Sequence, residues 1–146
     1  MSDLKLITQT YLNKFSNTTK LISETINKNC RQIIIIPSYC EPDLGKTLRS
    51  LLDCKSTKFV TEILIVLNGA EGDSEAKEFH KKQKEELEKL FSVNGHLIFH
   101  FIIADNLPPK HAGVGLARKI GMDEAVRRFE EIEFDGLLVC LDGDCT

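Results

Sequence analysis

The sequence predicts an α/β fold: a mainly parallel sheet of about four strands, helices on both faces, and a helical segment in front. Three observations predict it. Four apolar runs recur along the 146 residues, "QIIIIPSY", "EILIVLNG", "HLIFHFIIAD" and "GLLVCLDGD". Three of them lack clean alternation and are rich in Ile, Val and Leu, the pattern of strands buried on both faces. Segments with helical periodicity separate the runs, and strands that alternate with helices require parallel crossovers.

Residues 3–28 read as helical. Leu4, Ile7, Tyr11 and Phe15 fall at helical spacing, and Leu21, Ile22 and Ile26 form a second set. "SNTT" between them is a candidate break, since Ser, Asn and Thr compete for backbone hydrogen bonds. Residues 1–30 are therefore an N-terminal helical extension, and 31–146 form the sheet unit. After the first strand, "DLGKTLRSLLDC" places Leu44, Leu48, Leu51 and Leu52 on one helix face. After the second, a highly charged helix aligns Ala76, Phe79, Gln83, Leu87 and Leu90, with Asp73 or Ser74 as its cap. The third run carries His96 and His100, the mark of an edge or a half-exposed face. "GVGLARKIGMDEAVRRFEE" then turns Ala117, Ile120, Ala125 and Phe129 inward before the last strand.

The bulk properties exclude several classes. A net charge of -3 gives no general attraction to nucleic acid or to an anionic membrane. No apolar run reaches the ~20 residues that span a bilayer. "MSDLKLITQT" lacks a signal-peptide core. Five cysteines without C-x-x-C spacing fit neither a disulfide framework nor a zinc site. The simplest setting is reduced and cytoplasmic, with a membrane-peripheral placement open to a full-length protein.

In an open parallel sheet, ligands bind outside the carboxyl ends of the strands. Those ends read "PSYCEPD", "NGAEGD", "ADNLPPKHAG" and "DGDC", all polar and turn-forming. Asp142 and Asp144, separated by Gly143, are the sharpest feature. Two carboxylates so spaced can face one ion, and oxygen-only ligands suit Mg²⁺ or Mn²⁺. The alternative is a solvated D-G turn. Gly113 and Gly115 open a helix whose amino end can face a phosphate, with Arg118 one turn inside. The bland reading of Arg118 is a solvated side chain. Lys110 and His111 are weaker candidates. Tyr39 offers a flat ring at the end of the first strand, either a base platform or a core tyrosine.

Together these residues resemble the nucleotide-sugar-binding half of family 2 glycosyltransferases, which have the Rossmann-like GT-A fold. "IIIIPSYCEPDLGKTLRSLL" is similar to the opening strand and helix, written I-P-x-Y-N-E, with Cys40 in place of the usual Asn. "EILIVLNGAEGDS" resembles the second-strand pattern V-D-D-G-S-x-D, "GVGLARKIGMDEA" the A-R-N-x-G segment, and "GLLVCLDGDC" the strand ending in D-x-D. The resemblance runs from about residue 32 onward. It implies that Pro37 to Glu41 face the nucleotide, with Tyr39 against the base. The position where the family carries a base-reading acid falls at Leu67 or Asn68, with Asn68 the expected contact. Arg118 matches the arginine that contacts phosphate or base. Asp142 would face the ribose or the metal through water, and Asp144 the metal, Mn²⁺ or Mg²⁺.

The implied reaction moves a sugar from a nucleoside-diphosphate sugar to an acceptor hydroxyl on a glycan, a lipid or a small molecule. The resemblance places the catalytic base beyond Thr146. The chain then reads as a partial GT-A domain, inactive alone and prone to self-association along its last strand. Two other readings stay open. A nucleotidyltransferase would need a glycine-rich basic loop after the first strand, where "PSYCEPD" is acidic. A receiver-like regulatory module would need an acidic cluster after the first strand, where Glu41 and Asp43 stand, and a phosphorylatable aspartate in the middle of the sheet, which the second and third strand ends do not supply.

Overall fold

A computed structural model describes residues 3–16, 19–55 and 58–144. The elements are α1 (Asp3–Phe15), β1 (Cys30–Ser38), α2 (Leu44–Leu52), β2 (Val60–Ala70), α3 (Ser74–Leu90), β3 (Val93–Asn94), β4 (Leu97–Leu107), α4 (Val114–Glu131) and β5 (Leu137–Cys140). They build an α/β sheet in the order β3-β4-β2-β1-β5. β1, β2, β4 and β5 run parallel, and β3 is a two-residue antiparallel addition to β4.

Side-chain alternation along the strands sends two apolar sets to opposite faces. Ile33, Ile35, Leu64 and Val66 meet α4 through Ala117, Ile120, Ala125 and Phe129. Ile34, Ile36, Ile63, Ile65 and Leu67 meet α2 and α3 through Leu44, Leu48 and Leu87. Because both faces are covered, the strands carry continuous apolar runs. The chain proceeds outward from β1 through β2 to β4, then crosses back over α4 to β5 on the other side of β1. The order reverses between β1 and β5, and ligand crevices open at such reversals.

α4 lies unusually close to the sheet. A Cβ on Gly121 would stand 2.5 Å from Ile35 Cγ2 and 3.1 Å from Val66 Cγ2. Ile35 is fully buried and β-branched, so it has no room to turn away. Gly121→Val should therefore lower the urea midpoint, with a cost of about 1–3 kcal/mol or more from overpacking. An unchanged midpoint would show that α4 can shift freely.

Several expectations need correction. The second helical set does not form: α1 ends at Phe15, and the described residues between 19 and 29 are irregular. Ile22 and Ile26 are buried all the same, 5% and 3% exposed, in the same core as Ile33 and Phe129. Their spacing reflects two apolar anchors on an irregular strap. The strap thus packs on the sheet unit that follows it. Of the proposed break, Asn17 and Thr18 lie outside the described residues. On α3, Leu90 is 60% exposed, while His80 turns inward and is fully buried. β5 is not buried on both faces; it is a short edge strand, and Leu137 is 59% exposed. The cap on α3 is Asp73, which accepts from the Ala76 amide.

The strap is held by charge. Glu124 Oε2 accepts from the amides of Leu21 and Ile22 at 3.0 and 2.8 Å. Arg128 donates to the Glu24 carbonyl and, through Nε and Nη2, to both carboxylate oxygens of Glu62. These acids and arginines on the inner side of α4 are what a purely apolar reading of the helix misses. Among the described residues, no helix is long and apolar enough to cross a membrane.

Candidate functional site

A cleft of about 440 Å³ opens at the carboxyl ends of β1, β2 and β4, against the amino end of α4. Pro37, Tyr39, Asn68, Asp73, Gly113 and Val114 contribute to its walls. Strand parity explains the first pair: Pro37 and Asn68 continue the rows of Ile35 and Val66, which face α4.

Asn68 is 3% exposed, and its Nδ2 donates to the Ser38 carbonyl at 2.9 Å. That bond ties the ends of β1 and β2 and fixes the amide, so its oxygen is the group that can accept from a ligand. Tyr39 is 57% exposed at the rim. Its hydroxyl donates to Asp73 Oδ2, a bond that pushes the phenol up to about 12 with help from the charge of Asp73. The same bond, together with the Ala76 amide, holds the Asp73 carboxyl below its ordinary range. α4 starts at the cleft with Gly113 as its cap, which brings no side chain to its first amides.

Beside the cleft, Arg118 Nη2 lies 3.6 Å from Asp142 Oδ1. Both side chains are well exposed, so the pair itself contributes little stability. Among the described residues, Arg118 Nε is buried without a hydrogen-bond partner. Asp142 and Asp144 stand exposed on either side of Gly143, which is buried. The Gly143 carbonyl accepts from Thr47 Oγ1 at 2.7 Å. A Cβ on Gly143 would come within 3.3 Å of Ser38 Oγ. Backbone contacts therefore dock this turn on the end of β1, and the two carboxylates are left at the surface.

Among the described residues, no group of three or more His, Cys, Asp or Glu is placed to hold an ion. Asp142 and Asp144 supply oxygen donors alone. That set fits Mg²⁺ or Mn²⁺ only where waters and ligand oxygens complete the sphere.

The structure thus brings Pro37, Tyr39 and Asn68 into one cleft and sets Arg118 against Asp142 nearby. It does not bring Glu41 there. The Glu41 carboxylate accepts from the Asp43 amide at 2.9 Å, and its carbonyl accepts from Gln83 Nε2 at 2.7 Å. Lys110 and His111 are exposed in the turn before α4 and do not line the cleft. The described cysteines, Cys30, Cys40, Cys54 and Cys140, are free, and Cys145 lies outside the described residues. Burial pushes the Cys30 thiol up to about 11 and raises that of Cys40, so neither is an activated nucleophile.

The strand-end stretches already held Asp73 and Asp105, but sequence reasoning did not pair them with Tyr39 and His80, and it missed His80 at this end of the sheet. A signal for His80 was present. It falls four residues after Ala76 and seven before Leu87, on the inward stripe of α3.

Comparison of the chain with protein-family models finds no match, and neither does comparison with curated proteins or with solved structures.

Proposed function

We propose that this unit binds the nucleoside diphosphate part of a sugar donor and belongs to a glycosyltransferase. The observation that carries the reading is the placement of an aromatic rim and a fixed amide, Tyr39 and Asn68, next to Arg118 in the first turns of α4 and the Asp142–Asp144 turn, around strand ends at a chain reversal. The resemblance to family 2 glycosyltransferases names the same positions.

In this reading the base lies in the cleft, with its face on Tyr39 and its edge at Asn68. The diphosphate extends towards Arg118, whose planar fork suits two phosphate oxygens. Asp142 and Asp144 would hold Mn²⁺ or Mg²⁺, which when bound neutralises charge on the diphosphate. The bond between the anomeric carbon and the phosphate oxygen breaks, and its electron pair leaves with the diphosphate. An acceptor hydroxyl forms the new bond and gives its proton to a carboxylate base. Arg118 opposes the negative charge that develops on the leaving group. None of the described residues is assigned as that base.

Calorimetric titration with uridine and guanosine diphosphates in the presence of Mn²⁺ tests the reading. Arg118→Ala should weaken binding by at least about tenfold, as expected for the loss of a charge-assisted hydrogen bond. Arg118→Lys should not restore it, because the fork is lost. Equal binding by wild type and Arg118→Ala, or no binding by wild type, would remove the proposal.

A further inference from the structure

We infer that His80 is a positioning residue: held by Asp105, it fixes the backbone turn at Cys40 and thereby sets the Tyr39 ring at the rim of the cleft. What the ring then contacts rests on the donor-binding reading; the placement of the ring does not.

His80 is fully buried and Asp105 is 4% exposed. His80 Nε2 lies 3.0 Å from the Cys40 amide, which can only donate, so Nε2 must carry the lone pair. The ring proton is then on Nδ1 and points at Asp105 Oδ1, 2.9 Å away. One tautomer alone satisfies both contacts. Gly69 leaves the room this requires, since a Cβ there would stand 3.0 Å from the same carboxylate oxygen.

The Cys40 amide is a meaningful target. Cys40 has φ 46°, in the left-handed region that disfavours side chains other than glycine. Such a turn persists when its surroundings hold it. The holds come from α3 and its cap. His80 takes the Cys40 amide, Gln83 donates to the Glu41 carbonyl, and Asp73 accepts from the Tyr39 hydroxyl. The Tyr39 ring also meets the His80 ring edge-on, with centroids 6.2 Å apart.

The order Cys40, His80, Asp105 suggests a thiol nucleophile with its base and orienting acid. The geometry argues otherwise. Nε2 is engaged by the backbone of Cys40, and burial, then the charges of Asp73 and Asp105, push the thiol up.

The chain has two tyrosines and no tryptophan, so Tyr11→Phe leaves Tyr39 as the sole tyrosine signal. In that background the phenol should titrate near 12, against an ordinary value of 10.0. His80→Asn keeps a donor for Asp105 and loses the acceptor for Cys40. It should return the phenol towards 10.0 and change tyrosine fluorescence. His80→Gln can place its amide oxygen near the site of Nε2 and should retain the wild-type signature. Cys40→Ser, which keeps the amide, should retain it too. A folded His80→Asn protein with an unmoved phenol would overturn the inference, as would loss of the signature in Cys40→Ser. If His80→Asn does not fold, long-range ¹H–¹⁵N spectra of the wild-type imidazole decide: a proton on Nε2 overturns the inference, and a proton on Nδ1 alone supports it. Failure of wild type to bind either nucleoside diphosphate, with the tyrosine signature intact, would sink the donor-binding reading and leave the role of His80 standing.

Discussion

Arg128→Leu is expected to destabilise the fold by about 3–5 kcal/mol at neutral pH, the usual cost of removing one partner of a buried ion pair. Arg128 and Glu62 are each 1% exposed, and the guanidinium meets both carboxylate oxygens. Without Arg128, Glu62 is left as a charge in the core at the start of β2. The loss also frees the Glu24 carbonyl, so the strap over α4 loses a hold. Against a total stability of about 5–15 kcal/mol for a domain, this is a large fraction. The double variant Glu62→Leu/Arg128→Leu should recover much of the loss, because a buried pair is often no more stable than an apolar replacement.

The same pair sets an acid limb. Burial pulls the Glu62 carboxyl upward, but hydrogen bonds from His100 and Arg128 outweigh it and hold the group below its ordinary 4.5. A depressed carboxyl contributes stability that is present above 4.5 and lost as pH falls through the folded value. Wild type should therefore lose stability as pH drops below about 4.5. In Arg128→Leu burial is less opposed, Glu62 takes up a proton more readily, and mild acid should narrow the gap to wild type. Urea midpoints at neutral and mildly acidic pH measure both effects. A gap that widens in acid would show that Glu62 does not titrate as argued.

This network marks where the sequence stopped being legible. Strands and crossovers could be read because burial on both faces leaves long apolar runs, as in Ile33–Ile36 and Ile63–Leu67. Glu62, Glu124 and Arg128 could not, since buried charge has no periodicity; each is placed by a partner far away in the chain. The strap failed for a related reason. Ile22 and Ile26 sit at helical spacing, yet the polar contacts of Leu21, Ile22 and Glu24 with α4 satisfy an irregular backbone. At the strand ends, residue types that suit a ligand were readable: Tyr39, Asn68, Arg118 and the aspartates. Their orientation was not, and Glu41 turned out to be engaged by the amide of Asp43. The left-handed turn at Cys40 had no signal either, because a cysteine there does not advertise a positive φ as glycine would.

Asp144→Asn is expected to abolish the coupling between Mn²⁺ and a nucleoside diphosphate, while Asp142→Asn weakens it less. The argument starts from the donor count. With no third acidic, His or Cys group placed beside Asp142 and Asp144 among the described residues, the two carboxylates alone form a poor ion site. Mg²⁺ and Mn²⁺ then need ligand oxygens to complete octahedral coordination, and a diphosphate provides them. Each ligand should strengthen the other by the same factor, about 5–150-fold, since coupling free energies are reciprocal. Mn²⁺ alone should bind weakly, and the diphosphate should bind more tightly when Mn²⁺ is present. Asp142 already faces Arg118 at 3.6 Å, so part of its charge is committed to the arginine. On the proposed donor-binding reading, Asp144 would then carry the larger share of the ion. Both side chains are exposed and the turn is docked through the Gly143 backbone, so neither substitution should lower the melting temperature appreciably. Calorimetric titrations of uridine diphosphate with and without Mn²⁺, in wild type and both variants, give the coupling factor directly. A factor near one in wild type, or an unchanged factor in Asp144→Asn, would place the ion elsewhere or exclude it from donor binding.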